Sequence, residues 1–187
     1  MQEEVEFVLD ICNEKMSAAV EHLEKELVHI RAGKASPSML DGVLVEYYGS
    51  MTPLAQVSNV STPDARTLAV QPWEKNLIPA IEKAIMNANL GLNPDNNGET
   101  IRINIPVLTE ERRRGLVKQV HQEGEHAKVS IRGARKDANV SLKKLEKEGL
   151  SEDLEKDAEA SVQKLTDDFG KKVDSLVEAK EKDIMTI

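Results

Sequence analysis

The sequence predicts an α+β fold in which an elongated three-helix bundle carries a small inserted α/β domain. Two observations near the ends of the chain and one in its middle lead there. Long stretches at both ends repeat apolar residues every three or four positions, the mark of helices apolar on one side only. Between them, six of the seven prolines fall from Pro53 to Pro106, where short β-branched runs replace the helical period. Three helical stripes of matching length cannot each bury an apolar side alone, so they pack together. With 187 residues, 40% hydrophobic and 31% charged, the chain is able to bury such a core.

The first helix is carried by Val5, Val8, Cys12, Met16, Ala19, Leu23, Leu27 and Ile30, with Phe7 counted among the apolar positions. It stops at Arg31, Ala32, Gly33, Lys34, Ala35, Ser36, Pro37, since Gly favours a C-cap and Pro forbids continuation. Strands are expected over Val43 to Tyr48, Leu54 to Val60, Thr67 to Gln71 and Thr100 to Ile105. A short helix over about Leu77 to Leu90 places Ile78, Ile81 and Ile85 on one face, with Met86 at its edge and Pro79 in its first turn. The polar run Leu92 to Glu99 reads as a turn.

The central long helix spans Thr109 to Glu148, opened by Thr109 as N-cap and two acids in its first turn. Its stripe is Leu116, Val120, Gly124, Ala127, Ile131, Ala134, Ala138, Leu142 and Leu145. Four of the nine are Gly or Ala, which admits a neighbouring helix closely. At ~1.5 Å per residue its ~40 residues extend about 60 Å. Gly149 ends it, and Ser151 caps a last helix with the stripe Leu154, Ala158, Val162, Leu165, Phe169, Val173, Leu176, running almost to Ile187. The domains are therefore 1–31 plus 106–187 for the bundle and 32–105 for the insert. Arg31, Ala32 and Gly33 on the way out and Pro106 on the way back are the expected hinge.

Charge singles out the central helix. The chain carries a net −8, yet Thr109 to Glu148 holds 11 Lys+Arg against 7 Asp+Glu. Between Arg112 and Lys136 there are 8 Lys+Arg and only 2 Asp+Glu, so most of these cations lack a partner on their own helix. On a wheel of about 100° per residue, Arg114, Lys118, His121, Lys128, Arg132 and Arg135 form a stripe beside the apolar one. Unpaired cations on one face fit phosphate, and arginine can grip it bidentately. A pI near 5.1 opposes general coating of nucleic acid and leaves only a face-on approach. The helix has no aromatic residue on which bases could stack, so the reading is of backbone and shape. A solvated face, or a scaffold helix for an acidic protein partner, stays open as the second reading.

Other classes find little support. Cys12 is the single cysteine and lies on an apolar stripe, as a small buried thiol does. The acidic start MQEEVEF is not a signal peptide, and no apolar run approaches the ~20 residues of a membrane span, so a cytoplasmic protein without a membrane partner is expected. His121 and His126 are five apart, about 140° round a helix, and not the i, i+4 pair that shares a metal. GLGLNP has neither the spacing nor the Lys-Ser/Thr of a phosphate loop. No catalytic residue, metal or cofactor is expected.

Four segments, HIRAGKASPSML at 29–40, AIEKAIMNANLGLNP at 80–94, IPVLTEERR at 105–113 and IRGARKDAN at 131–139, occur in order and spacing that resemble the bacterial ribosome recycling factors over essentially the whole chain. The resemblance implies a three-helix bundle with an inserted α/β domain, roughly L-shaped, acting as a monomer and without catalysis. It implies binding to the post-termination ribosome against large-subunit rRNA, with the hinged domain toward the GTPase elongation factor G and subunit splitting as the outcome, and no role on DNA. Family RNA contacts carry over to Arg113, Arg132 and Arg135. Around them lie Arg114, Lys118, Lys128, Lys136 and Asn139. The chain departs where the family usually has Asn-Val at Gly133 and Ala134, Arg at Lys136 and often Arg at His121; Gly133 mid-helix costs about 0.5 to 1 kcal/mol relative to Ala.

Overall fold

The computed structural model describes residues 1–186. In chain order its elements are α1 (Gln2–His29), β1 (Leu44–Tyr47), β2 (Ser50–Pro53), β3 (Ser58–Asp64), β4 (Thr67–Pro72), α2 (Ile78–Asn87), β5 (Pro94–Asn96), β6 (Ile101–Asn104), α3 (Glu110–Lys147) and α4 (Glu152–Met185). They form two compact units. One joins Met1–Ala32 to the chain from Glu110 onward, and the other is Gly33–Thr109.

In the helical unit all nine stripe positions of α3 are buried. Gly124 shows why small residues stand there: a Cβ on it would lie 2.6 Å from Val177 Cγ2 of α4. On α1 the buried line is Cys12, Met16, Val20, Leu23 and Leu27, with Val20 in place of the half-buried Ala19. Phe7 is 65% exposed, contrary to expectation. It lies about 200° round the helix from Val5, outside the stripe that the later residues define. The turn from α3 to α4 is a Schellman motif: Leu150 N–H donates to Leu145 O at 2.9 Å and Gly149 N–H to Glu146 O at 3.1 Å, with Gly149 at φ +115. Ser151 Oγ then caps α4 by accepting from Leu154 N–H at 3.3 Å. That geometry turns Leu154 outward, 55% exposed, and rotates Glu155 into the core with no exposed surface, reversing the expected order. Leu165 and Leu176 are half-buried, while Val177 and Ile184 carry the line onward; Ile187 lies outside the described residues.

The second unit has a four-stranded antiparallel sheet in the order β3-β4-β6-β5 and a separate hairpin, β1-β2. Leu68 pairs with Ile103 and Val70 with Ile101, all without exposed surface, and Ile78, Ile81 and Ile85 of α2 join the same core. The run expected as a strand from Leu54 opens instead as a 3-10 turn, Leu54–Gln56, and extends only from Ser58. Two strands lie outside the expected ones, β2 in a stretch with no assignment and β5 within the run expected as a turn. β2 follows a two-residue connection, Tyr48-Gly49, and β5 is a polar edge strand opened by Pro94, where a missing N–H costs nothing. Both chain ends of this unit are tied to one hairpin turn: Ala35 N–H donates to Ala65 O at 2.8 Å and Ile105 N–H to Arg66 O at 2.7 Å. Gly33, at φ +74, leaves room for Leu108, whose Cγ a Cβ would meet at 2.8 Å.

Candidate nucleic-acid interface

Helix α3 is long because nothing in it stops a helix, and its core line fixes which way every other side chain points. Its cations divide into two groups. One group is spoken for: Arg114 reaches Glu110 at 2.5 Å, Lys128 reaches Asp174 of α4 at 2.6 Å, and Lys144 stands 3.9 Å from Glu148. His121, placed in the same stripe by the wheel, turns its Nε2 to Glu181 of α4 at 3.0 Å. His126 faces Glu123 at 3.7 Å, so the two imidazoles serve different acids. For Arg114, Lys128 and His121 the expectation of an unpartnered face is thus corrected: Arg114 is paired by Glu110 in the first turn of its own helix, and for Lys128 and His121 the flanking helix α4 supplies the acid.

The second group has no acid within 4 Å among the described residues: Arg113, Lys118, Arg132, Arg135, Lys136 and Lys147. Arg132, Lys136, Asn139 and Lys147 line a shallow open trough on α3, with exposed Val129 and Val140 between them. Arg135 also borders it and is half-buried. Arg113 lies 19 residues before Arg132, about 28 Å at ~1.5 Å per residue. The expected residues are therefore distributed along the rod, with Arg132, Arg135, Lys136 and Asn139 brought together and Arg113, Arg114 and Lys118 toward the start of α3. Gly133 sits in the trough with no atom within 4 Å of a Cβ position. The sequence reading missed Val129, Val140 and Lys147, whose signal was two valines off the core line, Val129 next to Lys128 and Val140 three or four positions from Lys136, Lys143 and Lys144.

The trough closes at Lys143, whose ammonium is held by Glu155 at 3.1 Å, Glu146 at 3.2 Å and Glu159 at 3.9 Å. Hydrogen bonds to Glu155 and Glu146 push the Lys143 pKa up. Burial by itself would raise the Glu155 carboxyl, but Lys143 and a hydrogen bond from Glu159 hold it below its ordinary range. Glu159, sharing that hydrogen bond, is pushed up. Lys143 thus spends its charge on acids of α3 and α4. On the opposite flank Cys12 is buried, its Sγ 3.8 Å from Ala134 O, and burial raises its pKa. It is a packing residue.

The family model for ribosome recycling factor matches residues 23–185. The chain belongs to the ribosome recycling factor family. Among family members, the ribosome-recycling factor of Flavobacterium johnsoniae is 59% identical over 187 residues, all of both chains, and that of Parabacteroides distasonis 57% over 175 residues, 93% of this chain and 94% of its own. A solution structure of the ribosome recycling factor superposes with a TM-score of 0.77 at 41% identity, covering 98% of each chain. Models of the T. thermophilus ribosome recycling factor and the E. coli elongation factor G bound to the E. coli post-termination complex match with a TM-score of 0.63 at 48% identity, over 97% of this chain and 99% of that one. No helix among the described residues is long and apolar enough to cross a membrane.

Proposed function

We propose that this chain recycles ribosomes after translation termination. It binds the post-termination ribosome with the outer face of α3 against large-subunit rRNA, and with elongation factor G and that factor's GTP hydrolysis it separates the subunits. The observation that carries the RNA contact is the group of Arg132, Arg135 and Lys136, which keep no acid within 4 Å among the described residues on a chain of net charge −8. Leaving cations unpaired on an otherwise acidic molecule fits a polyanion that completes them. The role is that of a translation factor: the residues recognise and displace, and no bond is made or broken on them. The protein works as a cytoplasmic monomer.

The inserted unit meets the GTPase, and the crossings at Arg31, Ala32 and Gly33 and near Pro106 serve as the joint. The decisive test is binding to isolated large subunits by Arg132→Ala and Arg135→Ala proteins of matched helicity. Each weakens binding at least tenfold; unchanged affinity in both removes the site. A cysteine cross-link joining the two crossing segments preserves binding and stops splitting, and normal splitting by the locked protein removes the joint. If only acidic proteins and no ribosomal particles co-sediment with the chain at low salt, the scaffold reading takes its place.

A further inference from the structure

Two of the five aromatic residues, Tyr47 and Tyr48, stand together at the turn of the β1-β2 hairpin, both bonded to Glu74, and a third, Trp73, precedes Glu74 in the chain. Tyr48 and Gly49 form the two-residue turn of the β1-β2 hairpin, with Tyr47 opposite Ser50. Both turn residues have positive φ, +46 and +83. Such turns favour Asn-Gly, because a bulky side chain at positive φ is strained. Tyr48 holds the strained position and is nevertheless 76% exposed, so no core contact explains it. Its ring stands edge-on to Tyr47 with centroids 4.6 Å apart. One carboxylate fastens both rings: the Tyr47 hydroxyl donates to Glu74 Oε1 at 3.2 Å and the Tyr48 hydroxyl to Oε2 at 3.1 Å. Trp73, next to Glu74 in the chain, is 67% exposed. Strain at an exposed, fixed aromatic side chain is a mark of function.

We infer that Tyr48, Trp73 and Glu74 form a preorganised docking anchor for a protein surface that presents an arginine or lysine. Glu74 has no cation within 4 Å among the described residues, and the adjacent Lys75 is committed to Glu99 at 2.9 Å. The end of the hairpin is thus aromatic and anionic. A carboxylate there repels phosphate and favours a cation, which the electron-rich faces of Tyr and Trp also attract. Rings held before binding lose little freedom on contact, and Tyr and Trp are the residues on which protein interfaces most often turn. The nucleic-acid surface on α3 is the chemical opposite, cationic and without aromatics. The proposal rests on the reading that the chain acts on the ribosome together with a protein partner.

The test measures two quantities for Tyr48→Asn, Trp73→Ala and Glu74→Arg: affinity for isolated large subunits, and the elongation factor G concentration giving half-maximal subunit splitting. Asn suits the positive-φ turn, so Tyr48→Asn keeps or raises stability while removing the ring. The expected result is large-subunit affinity within about twofold of the parent and a half-maximal concentration raised about tenfold or more, as for an interface anchor. Glu74→Arg raises it further by opposing the partner's charge. An unchanged half-maximal concentration in Tyr48→Asn and Trp73→Ala overturns the anchor. Lost large-subunit affinity also overturns it, by placing the rings on RNA. If the parent protein neither binds large subunits nor splits ribosomes, the functional reading fails and the anchor with it.

Discussion

Removing one trough cation should change how steeply ribosome binding falls with salt, by an amount the pairing on α3 fixes in advance. Each phosphate neutralised releases counterions and contributes about 0.7 to 0.9 to the slope of log affinity against log salt. Arg132, Arg135, Lys136 and Lys147 line the trough without acidic partners among the described residues, giving a slope of about −2.8 to −3.6 from these four. Raising salt from about 50 to about 200 mM then weakens binding about 50- to 150-fold. Arg132→Ala should make the slope shallower by about 0.7 to 0.9. Lys128→Ala should hardly change it, because Lys128 already spends its charge on Asp174 at 2.6 Å. The assay is equilibrium binding of labelled protein to isolated large subunits across a salt series at fixed magnesium. A parent slope shallower than about −1, or equal effects of the two substitutions, refutes the division of α3 into paired and unpaired cations.

Three further outcomes test the packing. Gly124→Ala gains about 1 kcal/mol of helix propensity but meets Val177, and overpacking of this kind costs about 1 to 3 kcal/mol; it should lower the urea midpoint in the parent and raise it in a Val177→Ala background, whereas additive effects would contradict the contact. Gly33→Ala should destabilise the inserted unit by about 1 to 2 kcal/mol from positive φ alone, with a further loss from Leu108 that Leu108→Ala relieves, both read from urea unfolding. The Glu155 carboxyl, held low by Lys143 and Glu159, contributes stability that is present above its ordinary value of 4.5 and lost as pH falls through its depressed one. Glu159, pushed up, has the opposite sign and contributes below 4.5. Glu155→Gln should therefore flatten the acid side of a Tm-against-pH curve, and Lys143→Met, which strands a buried carboxylate, should lower Tm at pH 7 more than Glu155→Gln does. Identical acid limbs in parent and Glu155→Gln would show the carboxyl to be idle.

What the sequence disclosed followed from local periodicity. The core line of α3 was legible residue for residue because 38 residues sample the helical period many times, and a single frame satisfies them all. The start of α4 was not, because Leu154 and Glu155 are only about 100° apart and the choice between them is made by Lys143 and the capped turn before them. β2 escaped notice because Tyr48-Gly49 lacks the usual Asn-Gly signature, and β5 because a polar edge strand opened by proline looks like a turn. On the candidate surface, the unpaired cations could be found by counting, since counting registers acids on the same helix. The partners of Lys128 and His121 could not, since Asp174 and Glu181 come from α4 and only packing brings them near.

The order of the helices has a consequence for synthesis. α1 ends at His29, and α3, against which it packs, begins only at Glu110. At ~5 to 20 residues per second, α1 waits about 4 to 16 s for its first helical partner, and longer for α4. Throughout that interval its apolar line of Cys12, Met16, Val20, Leu23 and Leu27 has neither of the neighbours that later cover it. The inserted unit, with a hydrophobic core made of its own residues, can complete itself meanwhile. Element order alone therefore leaves the apolar line of α1 uncovered by α3 and α4 until most of the chain has been made, while the inserted unit already has all of its own core residues.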